Sequence, residues 1–219
     1  MPTIAITGAG SGLGAALAKK YAANGYQVFL LGRNGEKLHV VQHAILTQGG
    51  HAEVVLCDVS EFASVSIAFQ QIGKLDVLIN NAGIGKFGPV EEYTLEDIEK
   101  TLDTNIKGGI LTVQYALPLI RKSKGRILNI ISTAGLRGKV NESVYCASKF
   151  AMRGFTESLQ KEWEHEPISI TAVYMGGMNT PFWKNSDHVE DPSQLKGPEI
   201  VAEQIFNADD RRKEILIDR

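Results

Sequence analysis

The sequence predicts an α/β fold: a doubly wound parallel sheet of about seven strands, with helices on both faces. Two patterns point to it. Short apolar, β-branched runs alternate with longer segments of helical period, as right-handed crossovers between parallel strands require. Most of the short runs are hydrophobic throughout rather than at every second position, as strands buried on both faces are.

The first strand is expected at Thr3–Thr7. A helix follows through Leu13, Leu17 and Tyr21, which recur at i, i+4 and i+8 and end at Asn24-Gly25, a stop signal. Further strands are expected at 27–31, 52–56, Val77–Asn80, 127–131, 168–174 and Glu214–Ile217. Between them, helical patterns span 36–48, 61–72, 95–121, 143–164 and Pro198–Ala208. The acidic residues Glu91, Glu92, Glu96 and Asp97 stand where negative charge favours a helix start. No linker, low-complexity stretch or repeat divides the pattern, so residues 1–219 are expected to form one domain. One polar, irregular segment, about 180–197, carries Pro181 and Pro192 and reads as a loop or lid. Phe182 and Trp183 open it, and either line an apolar pocket or fasten the loop to the core.

The bulk composition excludes several classes of function. Formal net charge is −2 with no basic block, which argues against a nucleic-acid partner. No stretch approaches the roughly 18 apolar residues of a membrane span, and the N-terminus has no features of a secretory signal. A soluble cytoplasmic enzyme is expected. Cys57 and Cys146 offer neither a disulfide framework nor metal spacing and read as buried small residues. His39 and His43 stand at i, i+4 without a third ligand, so they read as a solvated helix face and no metal is expected.

Between the first strand and first helix runs Thr7-Gly8-Ala9-Gly10-Ser11-Gly12-Leu13-Gly14. Glycines there permit a tight turn and let a pyrophosphate approach backbone N–H groups at the helix start, as in dinucleotide folds of Rossmann type. The second strand ends Leu31-Gly32-Arg33, where an NAD-binding fold places a carboxylate for the ribose 2′-hydroxyl. Arg33 can instead pair with a 2′-phosphate, so the cofactor is read as NADP(H).

Tyr145 and Lys149 lie four residues apart in a predicted helix and therefore share a face. A tyrosine with a pKa of about 10 is a poor acid–base catalyst near neutrality. A cation held beside it is expected to lower that pKa.

Together these residues resemble the short-chain dehydrogenase/reductase family in its form of about 250 residues, over nearly the whole chain. Gly8, Ser11, Gly12, Leu13 and Gly14 match its cofactor loop, and Asp58 matches an aspartate that contacts the adenine. Asn80-Asn81-Ala82-Gly83 matches its signature after the fourth strand, with Asn81, Ala82 and Gly83 expected at the cofactor. Asn105, Ser132, Tyr145 and Lys149 match its catalytic tetrad. The resemblance implies that Tyr145 exchanges a proton with the substrate oxygen and Ser132 hydrogen-bonds that oxygen. Lys149 tunes Tyr145 and holds the nicotinamide ribose, and Asn105 anchors a water that links Lys149 to solvent. It further implies an NADP(H)-dependent oxidoreductase that interconverts a carbonyl and a secondary alcohol, as a homodimer or homotetramer packed through the long helices.

Two departures stand out. After the sixth strand the family has Pro-Gly and later a threonine; here Met175 replaces the proline, while Gly176 and Thr180 keep their places. Thr180 is therefore expected to contact the nicotinamide, with the substrate loop set differently. The sequence also stops at Arg219, soon after the last strand, where relatives continue; an open pocket and doubtful tetramer formation are the corresponding expectations. A sugar-nucleotide epimerase or dehydratase would need a substantial C-terminal domain. A non-catalytic NADP(H)-sensing regulator would be expected to lack the tyrosine or serine. The substrate is not named by any residue pattern.

Overall fold

In the computed structural model, which describes residues 1–184 and 186–217, the chain builds one sheet of seven strands. They are β1 (Thr3–Thr7), β2 (Gln27–Gly32), β3 (His51–Leu56), β4 (Val77–Asn80), β5 (Arg126–Ile130), β6 (Ser169–Met175) and β7 (Glu214–Ile217). All neighbours pair in parallel, in the order β3-β2-β1-β4-β5-β6-β7. The expected doubly wound parallel sheet is therefore the fold. Strand ends differ from the sequence reading by at most one residue, and Asn185, Asp218 and Arg219 lie outside the described residues.

The helices are α1 (Gly12–Ala23), α2 (Gly35–Thr47), α3 (Phe62–Ile72), α4 (Leu95–Leu102), α5 (Gly108–Ser123), α6 (Ser143–Glu162) and α7 (Pro198–Ala208). Successive strand residues point to opposite faces, and the core divides accordingly. Ile4, Ile6, Val28 and Leu30 pack against Leu17 of α1, Ile45 of α2 and Ile205 of α7. Ala5, Phe29 and Leu31 pack on the other face, against Phe69 of α3, Ile120 of α5 and Leu159 of α6. Each fully buried leucine or isoleucine contributes roughly 1.5–3 kcal/mol. The strands read as continuous hydrophobic runs because both faces are covered in this way.

The expected helix over 95–121 is interrupted. A π turn, Asp103–Lys107, separates α4 from α5, with the Gly108 N–H donating to the Asp103 carbonyl five residues back. The extra residue in that turn carries Asn105, which is 3 % exposed, into the interior. Apolar periodicity does not reveal such a turn, because one inserted residue rotates the helix face without breaking its pattern. At the other end of α4, Thr94 and Asp97 form a reciprocal cap.

From β1 the chain moves outward through β2 and β3, then returns to place β4 on the other side of β1. The crevice beyond the C-terminal ends of β1 and β4 is thus the switch point, where ligands bind in such sheets. No described helix is long and apolar enough to cross a membrane.

Candidate active site

The turn after β4 fastens the glycine loop after β1. Thr7 Oγ1 accepts the Asn81 and Ala82 N–H groups at 3.0 and 2.9 Å, and Asn81 Nδ2 donates to the Thr7 carbonyl at 2.9 Å. Gly8 and Gly12 adopt φ of +66° and +52°, which side chains disfavour. At Gly14 the constraint is proximity: a Cβ would lie 2.3 Å from the Gly8 carbonyl oxygen. Ser11 caps α1 from extended backbone without using its side chain, so the first turn's N–H groups are free of a side-chain cap at the cleft.

A cleft of about 440 Å³ runs from this loop to the far ends of β5 and β6. Gly8, Ser11, Gly12, Leu13, Asn81, Ala82, Gly83, Ser132, Tyr145, Lys149 and Thr180 all line it. Thr180 faces Gly12 across the cleft, its Cβ 3.2 Å from where a Gly12 Cβ would stand. Gly14, Arg33 and Asp58 are not among its lining residues. Arg33 sits further out, beyond β2, with NH1 3.8 Å from Asp58 Oδ2. Asp58 in turn accepts the Ser60 N–H and hydroxyl at 3.0 and 2.7 Å.

Ser132 ends β5 where the ladder breaks: the Ile131 and Ser132 N–H groups both point at the Val173 carbonyl, at 2.8 and 3.4 Å. Ser132 is left at φ +92°, ψ 154°, a conformation that costs a non-glycine residue about 1–3 kcal/mol. Its hydroxyl accepts the Ala134 N–H at 3.2 Å and stands beside the Tyr145 phenol. One turn along α6, Lys149 donates to the Ile130 carbonyl at 3.0 Å, its Nζ 5.6 Å from the centre of the Tyr145 ring. Asn105 accepts the Ile84 N–H and donates to the Ile84 carbonyl, both at 2.9 Å, and donates to Ser148 Oγ at 3.0 Å. A polar cavity of about 10 Å³ lies between Asn105, Lys149, Asn80 and Thr112, about the size of one water.

One expectation is corrected. Burial pushes the Tyr145 phenol well above its ordinary value; the Ser132 hydrogen bond lowers it only in part, while the Glu142 carboxylate and Cys146 thiol add to the rise. Lys149 does not offset that rise: its ammonium donates to the Ile130 carbonyl, and burial lowers its own pKa to about 8.

Four residues at the cleft were missed by the sequence reading. Lys37, in the first turn of α2, lines the cleft at the loop end; a second cation close after Arg33 was the available signal. Lys139 and Glu142 line the substrate end, and Glu142 stands three residues before Tyr145, again one turn. His188 meets Glu142 at 2.9 Å from within the polar loop, and nothing in the sequence signals that pairing. Phe182 and Trp183 do both things weighed for them. They line the cleft, and the Trp183 Nε1 donates to the Met178 carbonyl at 2.9 Å. Both cysteines are buried. His39 contacts Gln42 on an exposed face, and among the described residues no cluster of three potential metal ligands forms.

The family model for short chain dehydrogenases matches residues 2–191. The chain belongs to that family. This short chain dehydrogenase is 33% identical to a levodione reductase of Leifsonia aquatica over 218 residues, covering 96% of this chain and 80% of that one. Its structure matches an alcohol dehydrogenase from the archaeon Thermococcus sibiricus complexed with 5-hydroxy-NADP, with a TM-score of 0.91 and 26% identity over 99% of this chain and 96% of that one. It also matches a short chain dehydrogenase/reductase from Burkholderia phymatum in complex with NAD, with a TM-score of 0.88 and 25% identity over 98% of this chain and 88% of that one. The dehydrogenase is thus an oxidoreductase whose structural neighbours hold either nicotinamide dinucleotide.

Proposed function

We propose that the protein is an NADP(H)-dependent carbonyl reductase that interconverts a ketone or aldehyde and its alcohol, with Tyr145 as general acid and base. The observation that carries this reading is the convergence of Ser132, Tyr145 and Lys149 on one cleft with the glycine loop. That loop fits a dinucleotide: Gly8 and Gly12 hold φ values that side chains disfavour, a Gly14 Cβ would meet the Gly8 carbonyl, and the first turn of α1 faces the cleft without a side-chain cap.

When bound, the dinucleotide supplies or accepts the hydride. The residues of the chain position the carbonyl and move the proton. Ser132 and Tyr145 bring two hydroxyls to the same cleft, where a carbonyl oxygen that accepts from both would be stabilised as negative charge develops on it. Burial keeps the phenol protonated at neutral pH, the form that gives a proton to a carbonyl oxygen during reduction. Lys149 is the cation nearest the phenol, suited to holding ribose hydroxyls and restoring the proton. The small polar cavity beside Asn105 and Lys149 supports a water relay behind it.

For the 2′-phosphate, Lys37 lines the loop end of the cleft and Arg33 stands further out, beyond β2, with no carboxylate at position 32. Arg33 keeps 64% of its side chain exposed, available for a ligand. We further propose a cytoplasmic homodimer joined through α5 and α6, where Ile110 and Phe150 are exposed; a monomeric mass at micromolar concentration would overturn that part. The decisive test is NADPH oxidation with a panel of ketones, aldehydes and diketones. Turnover supports the reading. Tight NADPH binding without turnover on any of them would favour a regulator.

A further inference from the structure

We infer that the substrate is a carbonyl compound bearing a flat conjugated ring, received against an aromatic wall that the 181–197 loop builds beside Tyr145. This rests on the carbonyl-reductase reading above and narrows it. Phe182 tilts against Tyr145, with ring centres 5.8 Å apart and planes at 55°. Phe87 meets Tyr145 edge-on at 5.6 Å. It also lies nearly parallel to Trp183, at 5.3 Å and 29°, and to His188, at 4.7 Å and 15°. Phe182 and Trp183 both face the cleft.

These rings are fixed in place. The Trp183 indole N–H is tied to the Met178 carbonyl at 2.9 Å. His188 Nε2 donates to Glu142 Oε1 at 2.9 Å, and Lys139 Nζ stands 3.7 Å from the other carboxylate oxygen. Glu142 is only 5 % exposed, and a buried carboxylate needs such partners. The contact therefore pins a loop, whose regular structure among the described residues is two short 3-10 turns, to the start of α6, three residues from Tyr145.

The chemistry of selection follows from what is left over. Besides Lys149, the charged groups that line the substrate end of the cleft among the described residues are Lys139 and Glu142; they pair with each other, and Glu142 also pairs with His188. Recognition beyond Ser132 and Tyr145 then falls to ring surfaces. Oriented rings favour another ring, stacked with an offset or edge-on, over an aliphatic group of equal size.

The test uses a matched pair, acetophenone and cyclohexyl methyl ketone, with the purified protein and NADPH. The aryl ketone is expected to have a kcat/KM about tenfold higher, mostly through KM. Trp183→Leu and His188→Ala are each expected to reduce that preference to about twofold. His188→Gln, which keeps a donor for Glu142, should recover part of it. If Trp183→Leu does not fold, Phe182→Leu serves at the neighbouring ring. Equal kcat/KM for the pair, or a preference unchanged by these substitutions, overturns the inference. If no carbonyl turns over, the reductase reading itself fails. Calorimetric binding of the two ketones to the NADPH-loaded protein then still decides whether the wall selects a flat ring.

Discussion

The two ends of the sheet treat buried polar groups in opposite ways. At the N-terminal ends of the strands, charges are paired. Arg126 donates to both oxygens of Asp209 at 2.6 Å, and Tyr21 donates to Asp209 at 2.5 Å. The Arg126 guanidinium also reaches the Tyr26 hydroxyl at 3.3 Å. Nearby, Asp76 accepts the Thr3 N–H and hydroxyl at 2.8 and 2.9 Å. Burial alone would raise that carboxyl, but Thr3 and Lys74 hold it below its usual range. At the C-terminal ends, Lys149 rests on one carbonyl, the Tyr145 phenol stands beside the Ser132 hydroxyl, and Ser132 is held in strained backbone. One end is finished as a structural clamp. The other keeps donors directed at a cleft for a ligand to complete, which is where strain and shifted pKa values concentrate.

That contrast can be broken most sharply at Tyr145. Tyr145→Phe is expected to lower turnover by about 10³-fold while leaving NADPH affinity and melting temperature nearly unchanged. Steady-state kinetics, cofactor titration and a thermal melt read all three, and retained turnover would remove Tyr145 as proton donor. Asp209→Ala is the reverse experiment. It leaves the buried Arg126 uncompensated and should cost about 3–5 kcal/mol, lowering the melting temperature by roughly 10 °C, with kcat of the folded enzyme unchanged. A large loss of kcat with normal stability would show that the two ends are not separable.

Smaller effects sharpen the boundary of the cleft. Arg33→Ala should weaken NADPH binding about tenfold or more and leave NADH little affected; equal losses would refute the 2′-phosphate contact. Lys149 gives a pH signature. Its folded pKa of about 8 lies below that of an unfolded lysine, so between those values the unfolded chain binds the extra proton and stability rises with pH. Lys149→Met removes that term. The variant's stability relative to wild type should therefore fall by about 3 kcal/mol between pH 7 and pH 10.5, followed by urea denaturation. A constant difference would mean that the lysine is not desolvated.

Much of the site was legible because its residues obey local rules. The glycines at 8, 12 and 14 are demanded by backbone that no other residue suits, so they mark the loop in sequence. Tyr145 and Lys149 share a helix face through their i, i+4 spacing alone. The π turn at Asn105 was not legible, since it depends on a single inserted residue whose only trace is where the side chain ends up. The Glu142–His188 contact was equally hidden, because it joins positions 46 residues apart through an irregular loop.

The sequence by itself determined the doubly wound sheet, the dinucleotide loop and the set of groups available for proton transfer. Periodicity, steric demands on glycine and helical spacing are properties of neighbouring residues. Only the tertiary structure decided how those groups are charged and what surrounds them. Burial outweighs the expected influence of Lys149 on Tyr145, and the loop after β6 turns four scattered rings into one wall. Desolvation and ring geometry depend on which distant segments close over a side chain, and no local pattern encodes that.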